Sequence, residues 1–414
     1  MLLEKIRKKD NIPIILFSII LINYIPLIIP NLFSKESHGV SMVLMGICFA
    51  IEIILLIMSL WKNIEFTHEN KKEINVLIGI SAILIIVQIV KLISGNCNIL
   101  DFFNIGCLFI NILLLYICFT NLKVNEELIF SFMKGIMIFG LISCLANFVI
   151  YYKEIFQTIL GINHKMYIKS FFANRNQFAF FLYISIIANV LLLIKENKKT
   201  YKIILGFLIF NLFFSMSRTG IAVVVMFFAL VFLFSNKISK KTKIICLTLT
   251  IIFGIIMLVI LYYLNPGLFE MLFRFSNVKN LSGRTAIWEN GVKLLMENPI
   301  NIIFGVGRFQ GNEVLHIKDK SFTQFHNIYL DFLIAGGVLE LIFIIYIFKN
   351  VIKKFNKSNI EEKYKKIYKI AFFTYFIYAC FESVGRFSIG AVDALCLIFF
   401  VSIPLVYSNS IKEK

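Results

Sequence analysis

Arginine is rare in this chain: 35 lysines stand against seven arginines, at positions 7, 175, 218, 274, 284, 308 and 386. Three of the seven fall in short polar insertions between apolar runs, Asn174-Arg175-Asn176, Ser215-Met216-Ser217-Arg218-Thr219-Gly220 and Ser282-Gly283-Arg284-Thr285. A guanidinium offers a planar fork that grips phosphate or carboxylate at two points and keeps its charge when partly desolvated, which a lysine ammonium does less well. Arg218 interrupts an apolar run where an unpaired arginine at mid-bilayer depth costs roughly 2.5 to 3.5 kcal/mol, so it needs a polar cavity to face. Ser215, Ser217 and Thr219 surround it with hydroxyls, and Gly220 permits close helix approach. Arg284 stands at the predicted start of a helix, where free backbone N–H groups also attract an anion. His326 closes a long polar stretch just as the next apolar run begins, in His326-Asn327-Ile328-Tyr329-Leu330-Asp331. A neutral imidazole can take a proton from an attacking hydroxyl, and neighbouring arginines help to keep it neutral. The chemistry these types can do together is to hold an anion such as a lipid pyrophosphate and to activate a hydroxyl beside it. The competing readings are that the arginines reach lipid headgroups or pair with Glu289, Glu297 or Glu382, and that His326 is a polar helix cap.

Other chemistries lack their residues. The sequence has no DxD, no HExxH and no cluster of carboxylates in the long polar stretch, so no metal site is expected. Gly305-Val306-Gly307-Arg308 is a bare turn rather than a nucleotide loop, and no cofactor is implied. The eight cysteines show no CxxC or Cys/His ligand spacing, and seven lie in apolar runs as small core residues. Glu52, Glu340, Glu382 and Asp393 interrupt apolar runs and would ordinarily mark a transport path, but they are scattered.

The elements that must position these groups are membrane helices. The chain has 414 residues, 59% of them hydrophobic and only 16% charged, with a mean hydropathy of +0.84. A soluble chain is about 25% charged and cannot cover its surface with fewer, which leaves a polytopic all-α membrane bundle. The formal charge of +18 sits in lysine clusters between apolar runs, as suits an anionic inner leaflet and not nucleic acid. Apolar segments mark twelve spans, at 12–33, 40–61, 75–94, 104–121, 128–152, 172–194, 201–217, 218–236, 244–264, 326–348, 370–386 and 388–408. The run from Ile203 to Phe234 would be roughly 48 Å of helix against a hydrocarbon core of roughly 30 Å. Lysines flank it on both sides, so it is expected to turn back as a hairpin at Ser215–Gly220.

With the amino terminus inside, twelve spans put both termini in the cytoplasm and 27 of the 42 cationic residues on the inner side, while six of the seven arginines fall outside. The whole chain, 1–414, reads as one integral membrane domain, within which 265–325 is a large extracytoplasmic loop. A helix is expected over Thr285–Glu297, with Ile287, Trp288, Val292, Leu295 and Met296 on one side and Asn298-Pro299 ending it. It either lies on the membrane surface or packs on the top of the bundle.

The motifs, in their order, resemble the O-antigen ligase and polymerase family of bacterial envelope polysaccharide assembly. They are Phe171-Phe172-Ala173-Asn174-Arg175-Asn176-Gln177-Phe178-Ala179, then Ser215–Gly220, then Ser282-Gly283-Arg284-Thr285-Ala286-Ile287-Trp288, then Gly305-Val306-Gly307, then His326–Leu330. The resemblance covers about residues 165 to 345. It implies a C-class glycosyltransferase architecture in the bacterial cytoplasmic membrane with its active face outside. The implied reaction is metal-independent transfer from an undecaprenyl-pyrophosphate-linked oligosaccharide to an acceptor hydroxyl. Carried onto this chain, Arg218 and Arg284 would hold the donor pyrophosphate and His326 would activate the acceptor. Arg175, Asn176, Ser217, Arg308 and Asn327 would line the substrate site. A flippase and a chain-length regulator would be its partners, besides the lipid bilayer.

A composition biased to Ile, Lys, Asn and Phe points to A/T-rich codons and a low-GC bacterium, which favours a repeat-unit polymerase for capsule or a related polymer. The alternative is a ligase that moves glycan to a lipid A core. The rival from another class is a lipid-glycan flippase or other transporter, which should carry its charges near mid-bilayer and show two related halves. The cations here gather at one face, and the halves do not resemble each other.

Overall fold

The computed structural model describes residues 68–94, 126–159, 168–235, 239–264, 283–318, 324–385 and 391–409 apart from Ala173, with isolated positions between them such as Asp101. The expected span 12–33, most of 40–61 and of 104–121, and the residues Arg7, Arg274 and Arg386 lie outside the described residues. All regular structure among the described residues is helical: α1 His68–Ile93, α2 Glu126–Ile150, α3 Tyr152–Ile159, α4 Arg175–Glu196, α5 Lys199–Phe214, α6 Arg218–Leu233 and α7 Lys240–Leu264 come first. They are followed by α8 Arg284–Met296, α9 Pro299–Phe304, α10 Arg308–Lys318, α11 Ile328–Lys357, α12 Glu362–Ala379, α13 Ala391–Leu397, one π turn over Ile398–Ser402, and α14 Ile403–Asn409. Among the described residues four helices are long and apolar enough to cross a membrane: Lys71–Ile93 of α1, α2, α4 and α11. The chain is thus a helical membrane protein; α6 and the Leu395–Ser408 stretch are apolar but shorter.

The helices form two compact units. The one built from 137–283 and 366–378 is organised around α4, whose residues Phe178 to Leu192 are all buried. Aromatic rings supply much of that packing: Phe180 and Tyr183 lie 5.0 Å and 6.0 Å from Tyr378. The Tyr183 hydroxyl donates to the Ala371 carbonyl at 2.9 Å, so the polar tip is satisfied inside the core. The expected hairpin is present as two 16-residue helices, α5 and α6, both packed on α4. Asn197 in the left-handed region ends α4, and the Ser215-Met216-Ser217 turn separates α5 from α6. Gly220 lets α6 close on α4, since a Cβ there would stand 2.8 Å from the Ala179 methyl carbon.

The other unit holds α1, α8 to α11, α13 and α14. Its seam is a break in α11 at Gly336 and Gly337, where φ turns to +72° at Gly337. Into that break fits the Gly305-Val306-Gly307 turn, with the backbone N–H groups of Val306 and Gly307 donating to the Ile334 carbonyl at 2.8 and 3.0 Å. Lys91 of α1 donates to the Phe304 carbonyl at 3.0 Å and also to that of Gly305, placing a cation at the carbonyl end of α9. Asp101 accepts from the N–H groups of Phe309 and Gln310 at 2.5 and 3.1 Å, an acid at the amino end of α10. The turn between the two short helices is therefore pinned from both sides by charges of the sign each helix end attracts.

Several boundaries differ from expectation. The helix at 370–386 instead runs from Glu362 to Ala379, and α11 continues to Lys357, so the loop expected over Lys349–Lys369 shrinks to 358–361. Asn298 does not simply end the preceding helix; its side chain accepts from Ile300 N–H at 2.9 Å and caps α9.

Candidate active site

Each described arginine of the set, Arg175, Arg218, Arg284 and Arg308, is the first residue of a helix, opening α4, α6, α8 and α10. A cation at that end opposes the helix dipole by about 0.3–1 kcal/mol, so these positions favour an anion nearby. Around Arg175 and Arg218 the caps are built from the same motifs. The Asn174 side chain accepts from Gln177 N–H at 2.9 Å, and the Ser217 side chain accepts from Gly220 N–H at 3.4 Å. The Ser217 hydroxyl donates to the Asn176 side-chain oxygen at 3.0 Å, which joins two motifs that are 41 residues apart. Tyr378 fixes the other end of Asn176 by donating to its carbonyl at 3.2 Å. Met216 stands just before them at φ +50°, a conformation non-glycine residues rarely take.

The other unit gathers Arg284, Trp288, His326 and a residue sequence reasoning did not place in the site, Glu382. The Glu382 carboxylate accepts from the Arg284 guanidinium at 2.5 Å and lies 3.3 Å from Nδ1 of His326. It is 3% exposed, against 19% for Arg284 and 28% for His326. Burial pushes its pKa up, but the His326 hydrogen bond and the Arg284 charge outweigh this and hold the carboxyl below the usual range. The ionised carboxylate then accepts from Nδ1–H, which fixes the tautomer that leaves a lone pair on Nε2 for a proton.

Trp288 supports both partners, one helical turn after Arg284 on the same face of α8. Its Nε1–H donates to the Phe325 carbonyl at 2.9 Å, just before His326. Its ring lies 6.5 Å from that of Phe381, just before Glu382. Behind it, Ile287, Leu294 and Leu295 pack with Leu315, Phe325, Leu330 and Ile334, so on this face α8 packs on the bundle. Val292 and Met296, expected on that face, are exposed, and Leu294 with Gly291 takes their place. Asp393 completes the support: its carboxylate accepts from Gly385 N–H at 2.8 Å, holding the turn that carries Glu382.

His326 has φ +52°, and Asn327, not the histidine, caps α11, accepting from Tyr329 and Leu330 N–H groups at 3.0 and 3.1 Å. The capping alternative for His326 thus falls to its neighbour, and the amide oxygen of Asn327, expected at the substrate, is engaged in the helix. The pairing alternative for Arg284 is the one realised, with Glu382. Arg308 sits 6.0 Å over the Phe309 ring and acts electrostatically on the buried Glu340, one turn beyond the α11 break. The site residues thus fall into two sets, one in each unit: Arg175, Asn176, Ser217 and Arg218 in the first, and Arg284, Arg308, His326 and Asn327 in the second. Glu382 is the sole acid between Glu362 and Asp393, but that isolation does not by itself tell a site partner from a scattered charge.

Fold and site together define a helical membrane protein whose cation and imidazole share a buried carboxylate. Residues 203–345 match the O-antigen ligase family model, Wzy_C, which bears out the resemblance seen in the motifs. The match takes in Ser217, Arg218, Arg284, Arg308, His326 and Asn327, and it stops short of Arg175, Asn176 and Glu382. No curated protein matches the chain. The match supports O-antigen ligase or polymerase chemistry in general and an enzymatic role, and with the apolar helices it supports a membrane setting.

Proposed function

We propose that the protein is a membrane glycosyltransferase that polymerises undecaprenyl-pyrophosphate-linked oligosaccharide repeats on the outer face of the cytoplasmic membrane. The observation that carries the reading is the meeting of Arg284 and His326, from two motifs, on one buried carboxylate. In the reaction the acceptor hydroxyl oxygen bonds to the anomeric carbon of the donor sugar while the bond from that carbon to the pyrophosphate oxygen breaks. The pyrophosphate leaves with the electron pair, and Nε2 of His326 takes the hydroxyl proton. Arg284 neutralises the leaving pyrophosphate, and Arg218 is assigned the same task by its motif. Two guanidinium groups do for the leaving group what a divalent cation otherwise does. Direct displacement inverts the anomeric centre; a linkage that retains the donor's configuration would refute this.

Arg175, Asn176 and Ser217 are assigned to the substrate on the same basis, together with Arg308 and Asn327. A flippase delivering the repeats and a chain-length regulator are the partners such a polymerase needs. The matched family, named for O-antigen ligase, favours one second reading: transfer of glycan to a lipid A core by the same residues. The test is polymer formation in a deletion strain complemented with wild type, His326→Ala or Arg284→Ala at matched membrane levels. Lost polymer with accumulated single lipid-linked repeats is expected; normal polymer from both variants refutes the assignment. Loss of glycan from lipid A instead would select the ligase.

A further inference from the structure

Glu382 is placed to do more than orient the imidazole. Its two oxygens serve different partners, Oε1 the Arg284 guanidinium and Oε2 the His326 ring. Among the described residues Glu382 is the partner of Arg284, so a carboxylate oxygen occupies one nitrogen, Nη2, of the guanidinium that the proposed reaction offers to a pyrophosphate. Carboxylate and phosphate oxygens compete for the same N–H donors, and a dianionic or trianionic pyrophosphate brings more charge than a carboxylate. Glu382 is anchored from behind by the Asp393–Gly385 bond and by Phe381 against Trp288, whereas Arg284 reaches it on a long side chain from the start of α8. In such a contest the guanidinium turns and the carboxylate stays.

We infer that Glu382 is a positioning residue shared by donor binding and base: it competes with the donor's pyrophosphate for Arg284, and once displaced from the guanidinium it serves His326 alone. The inference rests on the glycosyl-transfer reading above. Its logic is an ordered one. While Arg284 holds Glu382, the negative charge is divided between guanidinium and imidazole. When pyrophosphate takes the guanidinium, the whole charge is left to stabilise the imidazolium that forms as the acceptor loses its proton. Base and donor grip are thereby coupled through one carboxylate, so the histidine is best supported when a leaving group is in place.

A residue that only held the fold together would lower binding and turnover alike when replaced. The competition requires them to move in opposite directions. The experiment uses the full-length protein in lipid nanodiscs, with undecaprenyl pyrophosphate as the binding probe and polymer formation from lipid-linked repeats as the turnover assay. For Glu382→Gln, which keeps shape and removes charge, the probe should bind about tenfold tighter or more, equivalent to roughly 1.4 kcal/mol, while the turnover rate at saturating repeats falls by about tenfold or more. Glu382→Asp, whose shorter side chain withdraws from Arg284 while keeping its charge, should tighten probe binding less; it remains a test if the glutamine variant fails to accumulate. Weaker or unchanged probe binding in either folded variant, or tighter binding with undiminished turnover, overturns the coupling and leaves the transfer reading intact. A wild-type protein that neither binds the probe nor makes polymer overturns the transfer reading itself, and the inference with it.

Discussion

Replacing Gly305 with alanine tests whether the turn that fills the α11 break must be a glycine turn. Gly305 has φ +68° and ψ −178°, a region that only glycine visits freely and that costs other residues on the order of 1–3 kcal/mol. A methyl group there would also stand 2.6 Å from the carbonyl carbon and oxygen of Ala335 and from the Gly336 nitrogen. All three are backbone atoms at the seam of a long helix, so they cannot rotate aside as a flexible side chain would. Overpacking of that kind adds roughly 1–3 kcal/mol, so the sum is about 2–6 kcal/mol. Against a total stability typically of about 5–15 kcal/mol this is a large share. Gly206 is the matched control: it lies within α5, and a methyl group added there would meet nothing inside 4 Å, while alanine gains about 1 kcal/mol of helix propensity. Thermal unfolding of the two variants in detergent should show a clear fall in Tm for Gly305→Ala and none for Gly206→Ala. Because the turn leads directly into α10, polymer formation should fall with the first variant as well. A Gly305→Ala protein melting with the wild type would refute the steric argument, since no alternative rotamer exists for a methyl group.

Two further outcomes concern the carboxylate and its support. Trp288→Phe keeps the ring against Phe381 but leaves the Phe325 carbonyl without its indole donor, a loss of about 1–3 kcal/mol; melting in detergent should register it, and polymer yield should drop more than for a substitution at the exposed Val292. Glu382 has a folded-state pKa below its ordinary value, so its contribution to stability is complete above the unfolded carboxylate range and is lost as pH falls through the folded one. Wild-type Tm should therefore decline more steeply than that of Glu382→Gln as the pH is lowered from neutrality past 4, the ordinary range being about 4.3; parallel declines would show that the pairing adds no stability.

What the sequence disclosed depended on whether the signal was carried by side chains. The hairpin at Ser215–Gly220 was legible because lysines flank both ends of an apolar run too long for one span, and the structure breaks the helix there. The α8 face was misread because periodicity counts hydrophobic side chains. The groove that receives Phe325 and Leu330 is made by Gly291, which has none. The span at 370–386 began too late because hydropathy discounts Lys363, Lys365, Lys366 and Lys369, although lysine is a good helix former and α12 starts among them. At the site, the arginine and histidine motifs stood out by type. Glu382 did not, since an acid in an apolar run has no local mark that tells a scattered charge from a partner 56 residues away from His326.

The break in α11 bears on where the Gly305–Gly307 turn lies relative to lipid. The first lysine after the break is Lys349, and the twelve residues back to Gly337 span about 18 Å, well short of the roughly 30 Å of a hydrocarbon core. A break at that depth has no water to take up its freed backbone groups. The Gly305–Gly307 turn takes up the Ile334 carbonyl instead, so wherever α11 crosses a bilayer that turn goes with it. Ile300, Ile302 and Ile303, exposed on α9, give the neighbouring surface an apolar character suited to acyl chains. The turn sits as a dowel in a socket cut by two glycines, and a fragment holding the turn without α11 would lose the Ile334 carbonyl that receives it.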